Sequence, residues 1–175
     1  GIPAGTQVWI GVMSNQGTQG VFDLCITSII PATGGGNTCI GAFNLCDVNT
    51  QVGVDMSTIS PSGAWPDCFG GAANSDVWFT FTVTQTGTLE FESTPTGANA
   101  GSVELDWALY DITAGCPNIT GGSGGDPSIS CNYNYAGEVG ASSGMNAGGG
   151  GEYNTSVTVT AGNTYAIIMD YYTGG

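Results

Sequence analysis

The charged side chains in this chain, the ones most able to do acid–base or metal chemistry, are all carboxylates. Fourteen Asp and Glu residues stand against no Lys, Arg or His in 175 residues, a formal net charge of −14. Carboxylates that folding brings together have no cationic side chain to pair with, so they are kept apart, protonated or bridged by a metal. Outside the cell the natural bridge is calcium, which takes carboxylate, carbonyl and amide oxygens. Glu104, Asp106 and Asp111 lie close along the chain and open the candidate cation set, although no Asp-x-Asp-x-Asp-Gly loop of the EF-hand type is present. Glu90 and Glu92 are the carboxylate pair a glycosidase-like acid and base would need. They project from an outward strand face that offers no cleft, and the chain is read as non-enzymatic.

The missing cations exclude whole classes of function. Nucleic-acid binding needs positive side chains facing phosphates, and anionic membrane surfaces repel a chain of this sign. A Ser–His–Asp or Cys–His site lacks its base, a Schiff base lacks its lysine, and imidazole-ligated zinc or haem lacks its ligand. Binding, scaffolding or purely carboxylate chemistry remain. The partners expected are copies of the chain or adjacent repeats, with surface glycans as the other class, and neither nucleic acid nor membrane insertion.

Six cysteines without histidine favour disulfides, and so an oxidising compartment: secreted, extracellular or at the cell surface. Cys116 and Cys131 flank a Gly-rich loop containing proline and are expected to bond to each other. Cys25, Cys39, Cys46 and Cys68 then pair among themselves in an order the sequence leaves open. A Cys-only metal site would want a tight C-x₂-C spacing, which is absent.

The elements that must position these groups are strands. In Ser75–Val83, residues Val77, Phe79, Phe81 and Val83 mark a buried face, and Asp76, Trp78, Thr80 and Thr82 mark an outward one. Gln85-Thr86-Gly87 is expected to turn this strand into a hairpin with Thr88–Glu92. Leu105, Trp107 and Leu109 define another strand, Val157 and Val159 another, and Thr164 to Tyr171 the last. Gly121–Asp126 and the run from Ala141 to Gly151 read as surface loops. No apolar run approaches the roughly 20 residues that cross a bilayer. The fold class expected is all-β: an antiparallel β-sandwich, jelly-roll-like, stapled by disulfides and carrying long Gly-rich loops.

A self-similarity sets the expected organisation. Ile2–Val12 reappears as Val159–Met169, with Ala4-Gly5 matching Ala161-Gly162 at an offset of 157 residues. The first copy continues into Val21, Phe22, Leu24 and Ile26, a strand due in the second copy where the chain stops. Residues 1–30 are therefore read as the last strands of a preceding repeat, or a donor strand. Residues 31–175 are read as a module lacking its final strand, with the linker Ile30–Asn37 between them.

Several of these stretches together resemble a known module. Asn37-Thr-Cys-Ile-Gly-Ala42, Ser75–Val83 with Thr86–Leu89, Leu105–Tyr110 with Cys116, Ser130-Cys-Asn132 and Thr160–Ile167 follow one order. That order resembles the jelly-roll modules, akin to prepeptidase C-terminal domains, of large secreted and surface proteins of Bacteroidetes-type bacteria. The resemblance implies a non-catalytic β-sandwich used for adhesion, spacing or surface binding. It also brings Asn132 and Asn134 near the Glu104–Asp111 strand and so into the cation set. The total lack of cations and the longer loops depart from the family.

The function expected is that of a structural module in an extracellular repeat protein, a surface adhesin, stalk or filament, acting by strand pairing and end-to-end assembly. The alternative is a carbohydrate- or surface-binding module attached to a secreted enzyme, with Trp65, Trp78, Tyr133 and Tyr135 as stacking platforms beside Tyr171 and Tyr172. Asn118-Ile-Thr120 and Asn154-Thr-Ser156 are Asn-x-Ser/Thr sequons that matter only in a glycosylating host.

Overall fold

Alternation builds the centre of the molecule. Val77, Phe79 and Phe81 against Asp76, Trp78 and Thr80 give β2 (Asp76–Thr82), which follows the two-residue β1 (Phe43–Asn44). The computed structural model describes residues 36–45, 53–56, 59–119, 126–133 and 139–172. The expected repeat copy and donor strand, with Val21, Phe22, Leu24 and Ile26, lie outside these residues, as do Cys25, Cys46, Asn134 and Tyr135.

The remaining strands are β3 (Gly87–Leu89), β4 (Phe91–Ser93), β5 (Glu104–Asp111), β6 (Ser130–Asn132), β7 (Ser143–Asn146), β8 (Tyr153–Thr155), β9 (Val157–Val159) and β10 (Thr164–Tyr172). The regular elements among the described residues are strands, apart from 3-10 geometry at Met56 and a short 3-10 turn at Ala100–Ser102. The main sheet has the order β1-β2-β10-β5-β6. β10 runs antiparallel between β2 and β5, with Ile168 opposite both Trp78 and Ala108. β1 runs parallel to β2, and β7 parallel to β8, so the strand arrangement is mixed where a purely antiparallel one was expected.

The expected hairpin after β2 does not form. β3 pairs with β9 and β4 with β7, while the end of β2 bonds to the β9–β10 turn: Val83 donates to the Asn163 carbonyl and accepts from the Gly162 N–H. Leu89 and Phe91 instead meet Phe81 and Val83 across a shared apolar core with Trp107, Leu109, Tyr165 and Ile167. Facing strands satisfy the same alternation as paired ones, which is why sequence periodicity did not separate the two.

The two small sheets form one fork. Only Glu90 separates β3 from β4 and only Ser156 separates β8 from β9. Two stretches that bond directly at β3–β9 part further along and admit β7 between them. β7 belongs to the Ala141–Gly151 run expected to be a surface loop, yet Met145 is buried in the core. Gly144 permits this, because a Cβ there would run into the Phe91 carbonyl.

The two faces of the main sheet are covered differently. On one, β3, β4, β7 and β9 supply the apolar cover, including a T-shaped Phe91–Trp107 contact at 4.9 Å. On the other, Trp78, Ala108, Tyr110, Ala166 and Ile168, with Cys131 on β6 beside them, lie under irregular chain that contributes Cys39, Ala64, Trp65, Cys68, Phe69 and Ile119. Two disulfides fix that cover, Cys39–Cys116 and Cys68–Cys131, with Cα atoms 5.9 and 6.2 Å apart. The expected Cys116–Cys131 bridge is thus replaced by two bridges of long reach: Cys39–Cys116 joins two parts of the cover, and Cys68–Cys131 ties the cover to β6 at the sheet edge. Such bonds persist in a non-reducing environment.

Candidate functional site

The disulfide-held face is where ionisable groups converge. Asp76, Asp170 and Asp106 sit directly opposite one another on β2, β10 and β5, so they form one cross-strand row on one face. Their exposures are only 0, 3 and 3 %. Asp76 accepts hydrogen bonds from the Ser62 N–H at 2.6 Å, the Ser62 hydroxyl at 2.6 Å and the Trp78 indole at 2.9 Å. Asp170 Oδ1 accepts from the N–H groups of Asn74 and Ser75 at 2.8 and 2.9 Å. Two carboxylates thus anchor the irregular segment between residues 59 and 75 to the sheet. Burial pushes the Asp170 carboxyl up, the negative charge of Asp76 adds to the rise, and the backbone donors oppose it.

A second anchor lies nearby. The Asp67 N–H donates to Asp126 and the Asp126 N–H donates back to Asp67, at 3.1 and 3.0 Å, beside the Cys68–Cys131 bridge. Tyr110 donates its hydroxyl to Asp126 at 3.2 Å, and burial followed by the Asp126 charge holds its phenol well above the ordinary range.

The expected cation set is dispersed by strand geometry. Glu104 and Asp106 share a face of β5, whereas Asp111 lies on the opposite face at the strand's far end. There Asp111 accepts from the Thr113 N–H and the Asn163 amide, and the Thr113 hydrogen bonds hold its carboxyl below the usual range. Asn132 faces with Trp107, its register partner, and donates to the Glu152 carbonyl and to Asn154. Asn154, the second sequon residue, donates on to Ser130 and the Cys131 carbonyl, so this polar seam joins β6 to β8. Among the described residues no group of three or more acidic or cysteine side chains is arranged to hold a metal ion. Glu104 keeps a buried Oε1 without a hydrogen-bond partner, and burial raises its carboxyl.

The aromatic platforms are similarly reassigned. Trp78, expected on a wet face, is 3 % exposed and stacks on Tyr110 with ring centroids 6.0 Å apart. Trp65 is half-buried, with its indole donated to the Phe69 carbonyl. Tyr133 is exposed and its hydroxyl lies against Gly70, while Tyr171 is half-buried and Tyr172 exposed. Glu90 and Glu92 are both exposed as expected, and Glu92 accepts the Tyr153 hydroxyl at 2.7 Å, which raises the Tyr153 phenol.

Asp76, Asp170 and Asp126 are the residues that sequence reasoning passed over. Their signal is faint but present: Asp76 opens an apolar alternation and Asp170 follows Ala-Ile-Ile-Met, places where a charge without a partner needs a reason. No helix among the described residues is long and apolar enough to cross a membrane. Compared with protein-family models, curated proteins and solved structures, the chain matches none of them.

Proposed function

We propose that this chain is a structural module of an extracellular repeat protein, a surface adhesin, stalk or filament whose biochemical act is assembly. The observation that carries the reading is the covalent cover: bridges spanning 77 and 63 residues clamp irregular chain onto a strand core. This construction suits a durable part exposed outside the cell. The absence of Lys and Arg supports the same reading, because trypsin-like proteases find no cleavage site. In this reading the faced sheets form the jelly-roll-like sandwich of the secreted modules that the chain resembles.

The strand-pairing step needs an open edge. β10 has a neighbour on both sides, so an added strand would pair at another edge. β3 and β4 each bond to a single strand, and a segment such as Val21–Ile26 of another copy or repeat would extend the sheet at that edge. Exposed Glu90 and Glu92 flank it and disfavour indiscriminate pairing.

The test is concentration-dependent assembly. Sedimentation and negative-stain microscopy should show end-to-end oligomers, and deletion of residues 21–26 should abolish them. A protein that stays monomeric at every concentration sinks the reading. Glycan binding is the second reading, supported by exposed Tyr133 beside Gly70. A glycan-array signal lost in Tyr133→Ala would favour it.

A further inference from the structure

The buried aspartate row offers a use for the proton. Three carboxylates stand side by side in neighbouring strands, all shielded from water. The groups facing Asp170 are Asp76 from β2, Asp106 from β5, and the Asn74 and Ser75 N–H donors from the covering segment. No Lys, Arg or His exists anywhere in the chain to neutralise them. Three adjacent ionised carboxylates in such a place repel strongly, because the local dielectric screens little. Two of the three are also the hooks on which the segment between residues 59 and 75 hangs, through Ser62, Asn74 and Ser75.

We propose that the Asp76–Asp170–Asp106 row is a proton-operated clasp: Asp170, flanked by the other two, holds a proton while the 59–75 segment is seated on the sheet, and loss of that proton loosens the segment. Acid closes the cover, and rising pH opens it from the row outward while the strand-covered face stays closed. The direction follows from linkage. The carboxyl of Asp170 is raised in the folded protein, so folding takes up a proton. The associated stability is fully present below the ordinary Asp range and is lost as pH rises through the raised folded value.

The test is hydrogen exchange at the Ser62, Asn74 and Ser75 amides between about pH 4 and about pH 8, corrected for intrinsic exchange. Protection should fall about tenfold or more toward the upper limit, while the Leu109 and Ile167 amides keep theirs. In Asp170→Asn the carboxamide keeps an acceptor oxygen but has no proton to lose, so the profile should become flat. A flat profile in the parent protein, or an unchanged slope in Asp170→Asn, overturns the proposal. Should that variant not fold, carboxyl-carbon NMR on the unaltered protein decides. Asp170 must titrate above Asp111, and the reverse order overturns the clasp. The exchange series is repeated with chelator and with calcium. A profile that follows calcium and ignores pH overturns the proton and assigns the row to a cation.

Discussion

The two faces of the main sheet solve the same burial problem by different means. The face under β3, β4, β7 and β9 is closed by strands carrying Leu89, Phe91, Met145, Val157 and Val159, apolar residues at alternating positions. The other face carries Trp78 and Tyr110 together with three aspartates, and it is closed by irregular chain. Strands satisfy their own backbone groups by pairing, so the first cover needs little help. Irregular chain lacks that ladder and must find side-chain acceptors and cross-links. Asp76, Asp170, the reciprocal Asp67–Asp126 pair and two disulfides supply them. A secure polar cover therefore carries conditions of pH and redox state that the apolar cover does not.

Substitutions that injure one face and spare the other would break or sharpen this contrast. The largest effect is expected at Trp107, which is fully buried, packs on Phe91 and donates its indole to Ser143. Trp107→Ala should cost about 3–5 kcal/mol in urea melts, regardless of redox state. Next, replacing Cys68 and Cys131 together with Ser should cost about 2–4 kcal/mol. Exchange should rise in residues 59–75 and 126–133 and stay low in β5 and β10. An equal rise in all these regions would show that the covers are not independent.

A smaller loss, about 2 kcal/mol, is expected for Asp76→Ala, which leaves the Ser62 N–H and the Trp78 indole without their acceptor. Asp76→Asn should recover part of it. The smallest effect belongs to Asp111, an exposed group whose carboxyl is lowered in the fold. Its contribution is present above the ordinary Asp range and lost as pH falls through the lowered value, opposite in sign to Asp170. Thr113→Ala should move the Asp111 midpoint upward in an NMR titration and barely change the melting temperature.

The legible part of the fold is the part that alternates. β2, β5, β9 and β10 were readable from Val77, Trp107, Val157 and Ile167 with their polar neighbours. The hairpin and the wet face of Trp78 were misread for a shared reason. Periodicity reports which residues point the same way, but it does not report what they meet. Nothing local says that Trp78 will be roofed by chain tethered through Cys39 and Cys68. The disulfide map was hidden because proximity along the chain favoured Cys116 with Cys131, whereas Cys116 bonds to Cys39 and Cys131, on β6, bonds to Cys68. Parity separates part of the expected cation set, since Asp106 and Asp111 differ by an odd number of strand positions and so face opposite sides.

The Cys39–Cys116 bridge has a mechanical corollary. It closes a ring that contains β1 through β5, half of the described strands. Pulled from its two sides, the chain passes tension through the sulfur atoms and leaves that ring slack. Those five strands add no length while the bridge is intact, however hard the chain is drawn. Extension is limited to the segments outside the ring, and a thiol reductant becomes the agent that sets how far one such unit can stretch.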